Sequence, residues 1–348
     1  MKTLVILSAF LSPYRSGAEA MVEEVAKRLS DDFDITIVTG RYSRALSQRD
    51  TMGKMKIIRV GLGLRLDKWL YPFLAPMQLG KLHPDIVHAV LETFAGLALT
   101  LCRCKTKKVL TLQTTNRTFL KKMIIGSPDI VTAISTDLVK TAESFGRKDV
   151  HLIPNGIDLS AFQSAVQTVS KDSGRVLFVG RLEQMKGIDT LLRAFKRAIA
   201  GLPPSVHLRI VGDGSEKQSL QRLATELDID HRVQFVGKVP HEKVAIEFAA
   251  AEIFAGLSRS EALGNVFIEA QAAGCAVLGT TVGGIPDTVK DGESGLLVPP
   301  NNEEAAALAL RQLLTDTPLR ARLTKGGTKN AEAYDWNGIA ERYRAIYS

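Results

Sequence analysis

The sequence predicts an α/β protein of two domains, each built on a parallel β-sheet with helices on both faces. Three observations carry that prediction. The chain has 348 residues, more than one hydrophobic core usually serves. Short runs rich in Val and Ile alternate with amphipathic stretches, the pattern of parallel strands buried on both faces. The alternation breaks at Pro154-Asn155-Gly156 and then restarts, so the same kind of unit occurs twice.

The elements follow in order. Residues 3–7 read as a strand and 18–29 as a helix, with apolar positions Met21, Val22, Val25, Ala26 and Leu29 on one face. Strands follow at 35–39, 57–60, 86–90, 108–112 and 130–133, then a helix at 135–144 and a closing strand at 150–153. Residues 164–174 are polar and weakly patterned, and read as a linker. The second unit runs strand 175–179, helix 190–199, strand 208–211, helix 216–227, strand 233–236, helix 241–250, strand 253–255, helix 265–273 and strand 276–280. Residues 332–347 are helical in pattern and carry Trp336, Tyr343 and Tyr347. The expected domains are residues 1–163 with 332–348, and residues 164–331. The apolar start could open a signal peptide, but it runs into Ser12-Pro13-Tyr14-Arg15-Ser16-Gly17 without a small-residue cleavage site, and reads as a buried strand.

Composition narrows the class. Hydrophobic residues make up 45% and charged residues 24%, the balance of a globular protein. No run approaches the roughly 20 apolar residues needed to cross a bilayer. Cys102, Cys104 and Cys275 are too few and too irregular for a disulfide framework or a structural zinc site, so a reducing cytosol is the expectation. Charge is lopsided: residues 1–153 hold 23 Lys+Arg against 14 Asp+Glu, and the rest of the chain 22 against 23. The whole excess therefore sits in the first half, which calls for an anionic partner there. Lys54, Lys56, Arg59, Arg65, Lys68, Arg103, Lys105, Lys107, Lys108, Arg117, Lys121 and Lys122 are interleaved with Trp69, Tyr71, Phe73 and Phe119, which suits an anionic lipid surface. The alternative is a merely basic surface. Nucleic acid is not expected, since no nucleic-acid motif is present.

Open parallel sheets bind ligands beyond the carboxyl ends of their strands, so with two such sheets the expected site is the cleft between them. The sharpest signal is Glu261-Ala-Leu-Gly-Asn-Val-Phe-Ile-Glu269, after the strand at 253–255. Leu263, Gly264 and Asn265 suit a helix start whose unpaired N–H groups seat phosphate oxygens, with a carboxylate at either side for sugar and ribose hydroxyls. Such a carboxylate pair also arises by chance on solvated helices. Phe178-Val-Gly-Arg-Leu-Glu-Gln-Met-Lys-Gly187 ends a strand at Gly180 and offers Arg181 and Lys186 to phosphates, or simply two surface cations. Gly212 and Gly237 follow strands directly and let backbone approach a base or ribose, or serve as plain turns. Gly17 opens the first helix and could bring an amide to a phosphate, but the G-x-G-x-x-G spacing of a dinucleotide site is absent.

Taken together, these segments resemble glycosyltransferase family 4, retaining enzymes of the GT-B fold, in the manner of bacterial cell-envelope and lipopolysaccharide-type enzymes. The resemblance also covers Ile153-Pro-Asn-Gly-Ile-Asp158, Ala270 to Gly274, Gly283-Gly-Ile-Pro286 and Gly295-Leu-Leu-Val-Pro299. It implies two facing Rossmann-like domains and a C-terminal helix that crosses back to the first. It implies that Glu261 binds donor-sugar hydroxyls, Glu269 the ribose, Arg181 and Lys186 the diphosphate, and Gly237, Lys238 and Val239 the base. A nucleotide-sugar donor, a carbohydrate or lipid-linked acceptor, and chemistry with neither metal nor cofactor follow from the same likeness, the leaving diphosphate helping to take the acceptor proton. Four positions depart from the family pattern. Gln113 stands where a His is usual, so no proton can be exchanged there, although its amide can still bond a sugar hydroxyl. Val90 replaces a second His that often follows His88, which itself reads as a strand-end histidine, with an acceptor-side role as the alternative. Ala262 replaces a Gly and Ala276 a Pro. Other readings of the same architecture are a nucleotide-sugar epimerase or hydrolase, and a non-catalytic sugar-nucleotide-binding protein.

Overall fold

The Val- and Ile-rich runs of the first half assemble into one eight-stranded sheet. In chain order the elements are β1 (Lys2–Ser8), α1 (Gly17–Leu29), β2 (Phe33–Gly40), β3 (Arg49–Met52), β4 (Met55–Val60), α2 (Asp67–Leu82), β5 (Ile86–Val90), α3 (Phe94–Leu101), β6 (Lys107–Leu112), α4 (Lys121–Gly126), β7 (Ile130–Ala133), α5 (Thr136–Ser144) and β8 (Val150–Leu152). The strands lie in the order β3-β4-β2-β1-β5-β6-β7-β8, parallel except for β3 against β4. β1 is central and buried: Leu4 pairs with Ile35 of β2 on one side and Ile86 of β5 on the other. A strand apolar on both faces belongs there, with helices covering each side.

The second half holds α6 (Leu159–Thr168), β9 (Asp172–Val179), α7 (Ile188–Ala198), β10 (His207–Val211), α8 (Lys217–Glu226), β11 (Val233–Gly237), α9 (His241–Ala250), β12 (Ala251–Ala255), α10 (Asn265–Ala272), β13 (Ala276–Thr280), α11 (Ile285–Thr288), β14 (Leu296–Val298), α12 (Glu303–Thr315) and α13 (Thr317–Ala331). Its six strands are all parallel, in the order β11-β10-β9-β12-β13-β14. This is the doubly wound 3-2-1-4-5-6 order, with its switch point between β9 and β12. In the first sheet the same reversal falls between β1 and β5.

The computed structural model describes residues 1–14, 16–115 and 120–348, in two units: Met1–Gly156 with Trp336–Ser348, and Ile157–Asp335. The last helix, α14 (Trp336–Tyr347), therefore belongs to the first unit, as expected for a returning C-terminal helix. Its inner face buries Trp336, Ile339, Tyr343 and Tyr347 in the core formed with α1 and β1. Polar atoms in that core are satisfied: Tyr347 Oη lies 2.6 Å from His88 Nδ1, and His88 Nε2 lies 2.7 Å from Thr111 Oγ1.

Residues 164–174 are not a linker. They contain the second half of α6 and the start of β9. The helix is set by its cap: Asp158 accepts the Ala161 N–H at 3.1 Å, and only Phe162 and Ala165 are buried, too few to show as periodicity. The first turn of chain into β9 is held by polar groups that a hydrophobic pattern does not register. Lys171 Nζ donates to the carbonyls of Ala251, Ala273 and Gly274, and Asp172 accepts from Arg175 Nε at 2.9 Å. Asp158→Ala should cost about 1 kcal/mol of stability, read as a lower midpoint in urea with an unchanged slope. An unchanged midpoint would show that the cap does not set the helix.

Candidate functional site

The switch point of the second sheet is where the chain leaves β9 and β12 in opposite directions, and both departing loops carry the expected residues. Lys186, at the end of the short 3₁₀ turn Gln184–Lys186, places Nζ 2.6 Å from Glu261 Oε2, on the loop after β12. Both side chains are mostly covered, at 17% and 16% exposure, so their charges are screened far less than a surface pair. Two features fix this meeting. Gly187 adopts φ 62°, and a Cβ there would fall 1.9 Å from the Leu257 carbonyl oxygen, so the loops touch where no side chain fits. Arg259 ties the same loops: its N–H donates to Met185 O at 2.7 Å and its guanidinium meets Asp189 at 2.7 Å and Thr190 Oγ1 at 3.1 Å. Neither Gly187 nor Arg259 stood out as a site residue by sequence. A glycine-ended turn beside a half-exposed arginine is the only signal they give.

Around the pair, three adjacent strands end in glycine. Gly180 N–H donates to Val211 O at 3.0 Å, and Gly212 N–H donates to Gly237 O at 2.8 Å. A Cβ at Gly212 would stand 1.8 Å from the Gly180 carbonyl oxygen, so the carboxyl ends of β9, β10 and β11 form a floor of bare backbone. Lys238, exposed, and Val239, half-buried, follow at the end of β11. Arg181 is 69% exposed and paired to Glu183 at 2.6 Å, a looser placement than that of Lys186. Gly264, in the left-handed conformation, caps α10, with Leu263 buried behind it and Asn265 opening the helix. Glu269 sits one turn inside. Among the described residues its carboxylate has no hydrogen-bond or ion-pair partner, and burial pushes its pKa up to about 7 although some solvent still reaches it. A desolvated carboxylate without a partner, on the helix that starts at the switch point, is a ready acceptor for hydroxyl donors.

The first unit has its own switch point, at the ends of β1 and β5. Gly17 opens α1 there, but Glu19 already bonds the Ser16 N–H at 2.7 Å, so an anion approaching this helix start meets a carboxylate first. Beyond β5, Leu91 is held at φ 82°, an uncommon conformation for leucine, and it delivers Glu92 into the interior. Glu92 is fully buried, 3.2 Å from Lys121 Nζ, and accepts the Gln113 N–H at 2.9 Å. Desolvation raises its pKa, opposed by the Lys121 charge and the N–H donors. Gln113 is held as well: its amide exchanges two 3.0 Å hydrogen bonds with Asn155 of the Pro154-Asn155-Gly156 turn. Glu92 and Asn155 are the residues sequence reasoning did not single out in this unit.

His88 does not serve an acceptor. It is fully buried, both ring nitrogens are engaged, and desolvation lowers its pKa to about 3, so it stays neutral inside the sheet core. The basic cluster also divides. Lys54, Lys56 and Arg59 pair with Asp31, Asp34 and Asp50, and Lys121 with Glu92. Arg15, Arg117 and Phe119 lie outside the described residues. Asp228, Asp230 and His231 are spaced to hold a cation, but they are exposed and precede β11, at the opposite end of the strands from Lys186 and Glu261. No helix of the described residues is long and apolar enough to cross a membrane.

Comparison with known proteins gives the architecture a lineage. Residues 15–161 match Glycosyltransferase Family 4, and residues 161–330 match Glycosyl transferases group 1. A D-inositol 3-phosphate glycosyltransferase of Corynebacterium aurimucosum is 36% identical over 179 residues, 50% of this chain and 42% of that protein. The matched chain spans about half the length of these curated relatives. Among solved structures, sucrose-phosphate synthase from Thermosynechococcus elongatus aligns with TM-score 0.87 at 23% identity, over 100% of this chain and 98% of the other. HepE of Anabaena, in complex with UDP and glucose, aligns with TM-score 0.79 at 19% identity, over 99% of each chain. At those identities the two structures establish the GT-B fold.

Proposed function

Since residues 15–161 match Glycosyltransferase Family 4 and residues 161–330 match Glycosyl transferases group 1, we propose that this chain transfers a hexose, with retention, from a nucleoside-diphosphate sugar to a hydroxyl of a carbohydrate or lipid-linked envelope acceptor. The observation that carries the reading is the covered Lys186–Glu261 pair at the switch point of the second sheet. The cation faces the phosphates, and the carboxylate accepts hydroxyl hydrogen bonds from the donor sugar. The glycine floor at Gly180, Gly212 and Gly237 admits the nucleotide, with Lys238 and Val239 beside the base and Glu269 on the ribose. The HepE complex with UDP and glucose supports a uridine nucleotide as the donor class. The curated relatives' name, D-inositol 3-phosphate glycosyltransferase, supports an acceptor that is a hydroxylated ring.

Catalysis rests on positioning and on stabilising charge as the diphosphate departs, through Lys186, Arg181 and the N–H groups that start α10. These protein groups meet the diphosphate charge, and transfer proceeds without a metal or an organic cofactor. The acceptor is reached at an anionic membrane surface, for which the basic first half is suited. A thermal-shift screen against UDP, GDP, ADP and their sugars tests the donor site. One nucleotide should raise the melting temperature, by an amount that grows with its concentration. No shift with any of them, in folded protein, would overturn the reading, and an undiminished response in the presence of EDTA is expected.

A further inference from the structure

α2 is built the wrong way round for a surface helix. Its inner face carries Asp67, Tyr71, Pro72, Ala75 and Leu79, all buried, as any such helix requires. Its outer face is apolar too. Leu66, Trp69, Phe73 and Met77 are 67%, 61%, 62% and 63% exposed, and Leu70 lies between them at 41%. At 100° per residue these five occupy one stripe, with no charged side chain inside it. The loop before the helix adds Leu62, 64% exposed. Scattered exposed leucines need no explanation, but a continuous stripe with Phe73 at its middle and Trp69 at its edge does.

The charge around the stripe has one sign. From residue 61 to 83 the sole carboxylate is Asp67, and it is turned inward to accept the N–H groups of Gly63 and Leu64 at 2.7 and 3.0 Å. Cations border the stripe. Arg65 precedes it, Lys68 lies 5.6 Å over the Trp69 ring, and Lys81 closes the helix. α2 packs on α3, and α3 on α4; Arg103 and Lys105 follow α3 in the chain, and Lys122 lies in the first turn of α4. None of these six has a carboxylate partner among the described residues, unlike Lys54, Lys56 and Arg59.

We propose that α2 is a membrane-docking helix, lying flat in the headgroup region of an anionic bilayer with Leu66, Trp69, Phe73 and Met77 among the acyl chains. Lipid is favoured over a protein partner because it asks for nothing directional. Apart from the Trp69 indole N–H the stripe carries no hydrogen-bonding side chain, and its apolar area is bordered by cations without carboxylate partners that match phosphate headgroups. Trp at the boundary, with a lysine on its face, is suited to the interface between acyl chains and headgroups. The inference rests on the membrane part of the function proposed above and is independent of the transfer chemistry.

The test is flotation of the intact protein with phosphatidylglycerol–phosphatidylcholine vesicles and with phosphatidylcholine alone, alongside Phe73→Glu, Trp69→Ser and the Lys54→Glu control. The wild type and Lys54→Glu should float with the anionic vesicles. Phe73→Glu should lose binding by at least about tenfold, since one large side chain no longer enters the acyl region. Trp69 emission should shift to the blue on binding and be quenched by brominated lipid; Trp336, the other tryptophan, is already buried and serves as the reference. Both surface variants should keep the wild-type melting temperature. Anionic binding that survives Phe73→Glu without a Trp69 shift would overturn the docking role of α2 and leave the membrane reading intact. No binding to any vesicle would overturn both, while nucleotide-induced stabilisation would still stand. A dimer that Phe73→Glu dissociates, with no vesicle binding, would reassign the stripe to a second copy of the chain.

Discussion

Lys186→Ala should lower kcat/KM for sugar transfer by about 100- to 1,000-fold, equivalent to ~3–4 kcal/mol of lost transition-state stabilisation. The size follows from placement. Lys186 is held 2.6 Å from Glu261 with most of both side chains covered, and its loop is fastened by the Gly187–Leu257 contact and by Arg259. A cation fixed before the reaction need not be reoriented as the diphosphate leaves. Arg181→Ala should cost less, because that side chain is 69% exposed and reaches its place only by giving up Glu183. The order of the two effects is therefore the discriminating result, and single-turnover kinetics at saturating donor reads it. Glu261→Gln keeps the shape and removes the charge. Its loss should overlap with that of Lys186→Ala in a double-mutant cycle, since each is the other's partner. A Lys186→Ala protein that folds and works within tenfold of the wild type would sink the assignment. A protein that binds nucleotide but shows no turnover to lose would point to the non-catalytic alternative.

The strands were readable because their burial is simple. The central strands β1, β5 and β9 have Val, Ile or Leu on both faces, and for β5, β7 and β13 the expected and observed bounds coincide. The elements that escaped notice lack contrast instead. α2 is apolar on both faces and contains Pro72 and Pro76, so no 3.6-residue stripe stands out. α6 shows only two buried positions and depends on the Asp158 cap. The edge strand β3 is almost wholly exposed, and its polar Arg49-Asp50-Thr51-Met52 pairs with β4 without any hydrophobic signature.

The same contrast separates the site residues. Lys186, Glu261 and Glu269 were visible because they fall in the loops after two strands and in the helix that follows the second, and strand order brings β9 and β12 side by side. Gln113, Asn155, Glu92 and Lys121 could not be read as a group. Their meeting depends on how the turn at 154–156 and the segment after β6 come back over the end of β5, which no local spacing encodes. His88 shows the converse. Its sequence position favours a strand-end histidine and leaves an acceptor-side role as the alternative, and the tyrosines of α14, some 250 residues on, decide for the core.

Glu269→Gln should separate stability from donor binding, in opposite directions. Burial raises the Glu269 pKa from 4.5 to about 7. The folded state then holds a proton that the unfolded chain gives up between those two values, so stability falls as pH rises through that window and levels off above it. A rise of that size corresponds to ~3 kcal/mol lost by pH 8 relative to pH 4. Glutamine has no charge to desolvate. Urea denaturation should therefore find Glu269→Gln more stable than the wild type at pH 8, by up to about 3 kcal/mol, with little difference at pH 4.5. Donor binding reverses the preference. Ribose hydroxyls donate to the ionised carboxylate, so the nucleotide pulls the proton off: below pH 7 the wild-type Kd should rise by up to about tenfold per pH unit, and calorimetric enthalpy at pH 7 should vary with the ionisation enthalpy of the buffer. Glu269→Gln should bind more weakly at pH 8 and lose both dependences. If the variant keeps the wild-type pH slope of binding, Glu269 does not touch the nucleotide. If it gains no stability at pH 8, the carboxylate is solvated in the free protein. The first result would remove the ligand that gives a carboxylate without a partner a reason to lie one turn inside α10, and the second would remove the strain that burial places there.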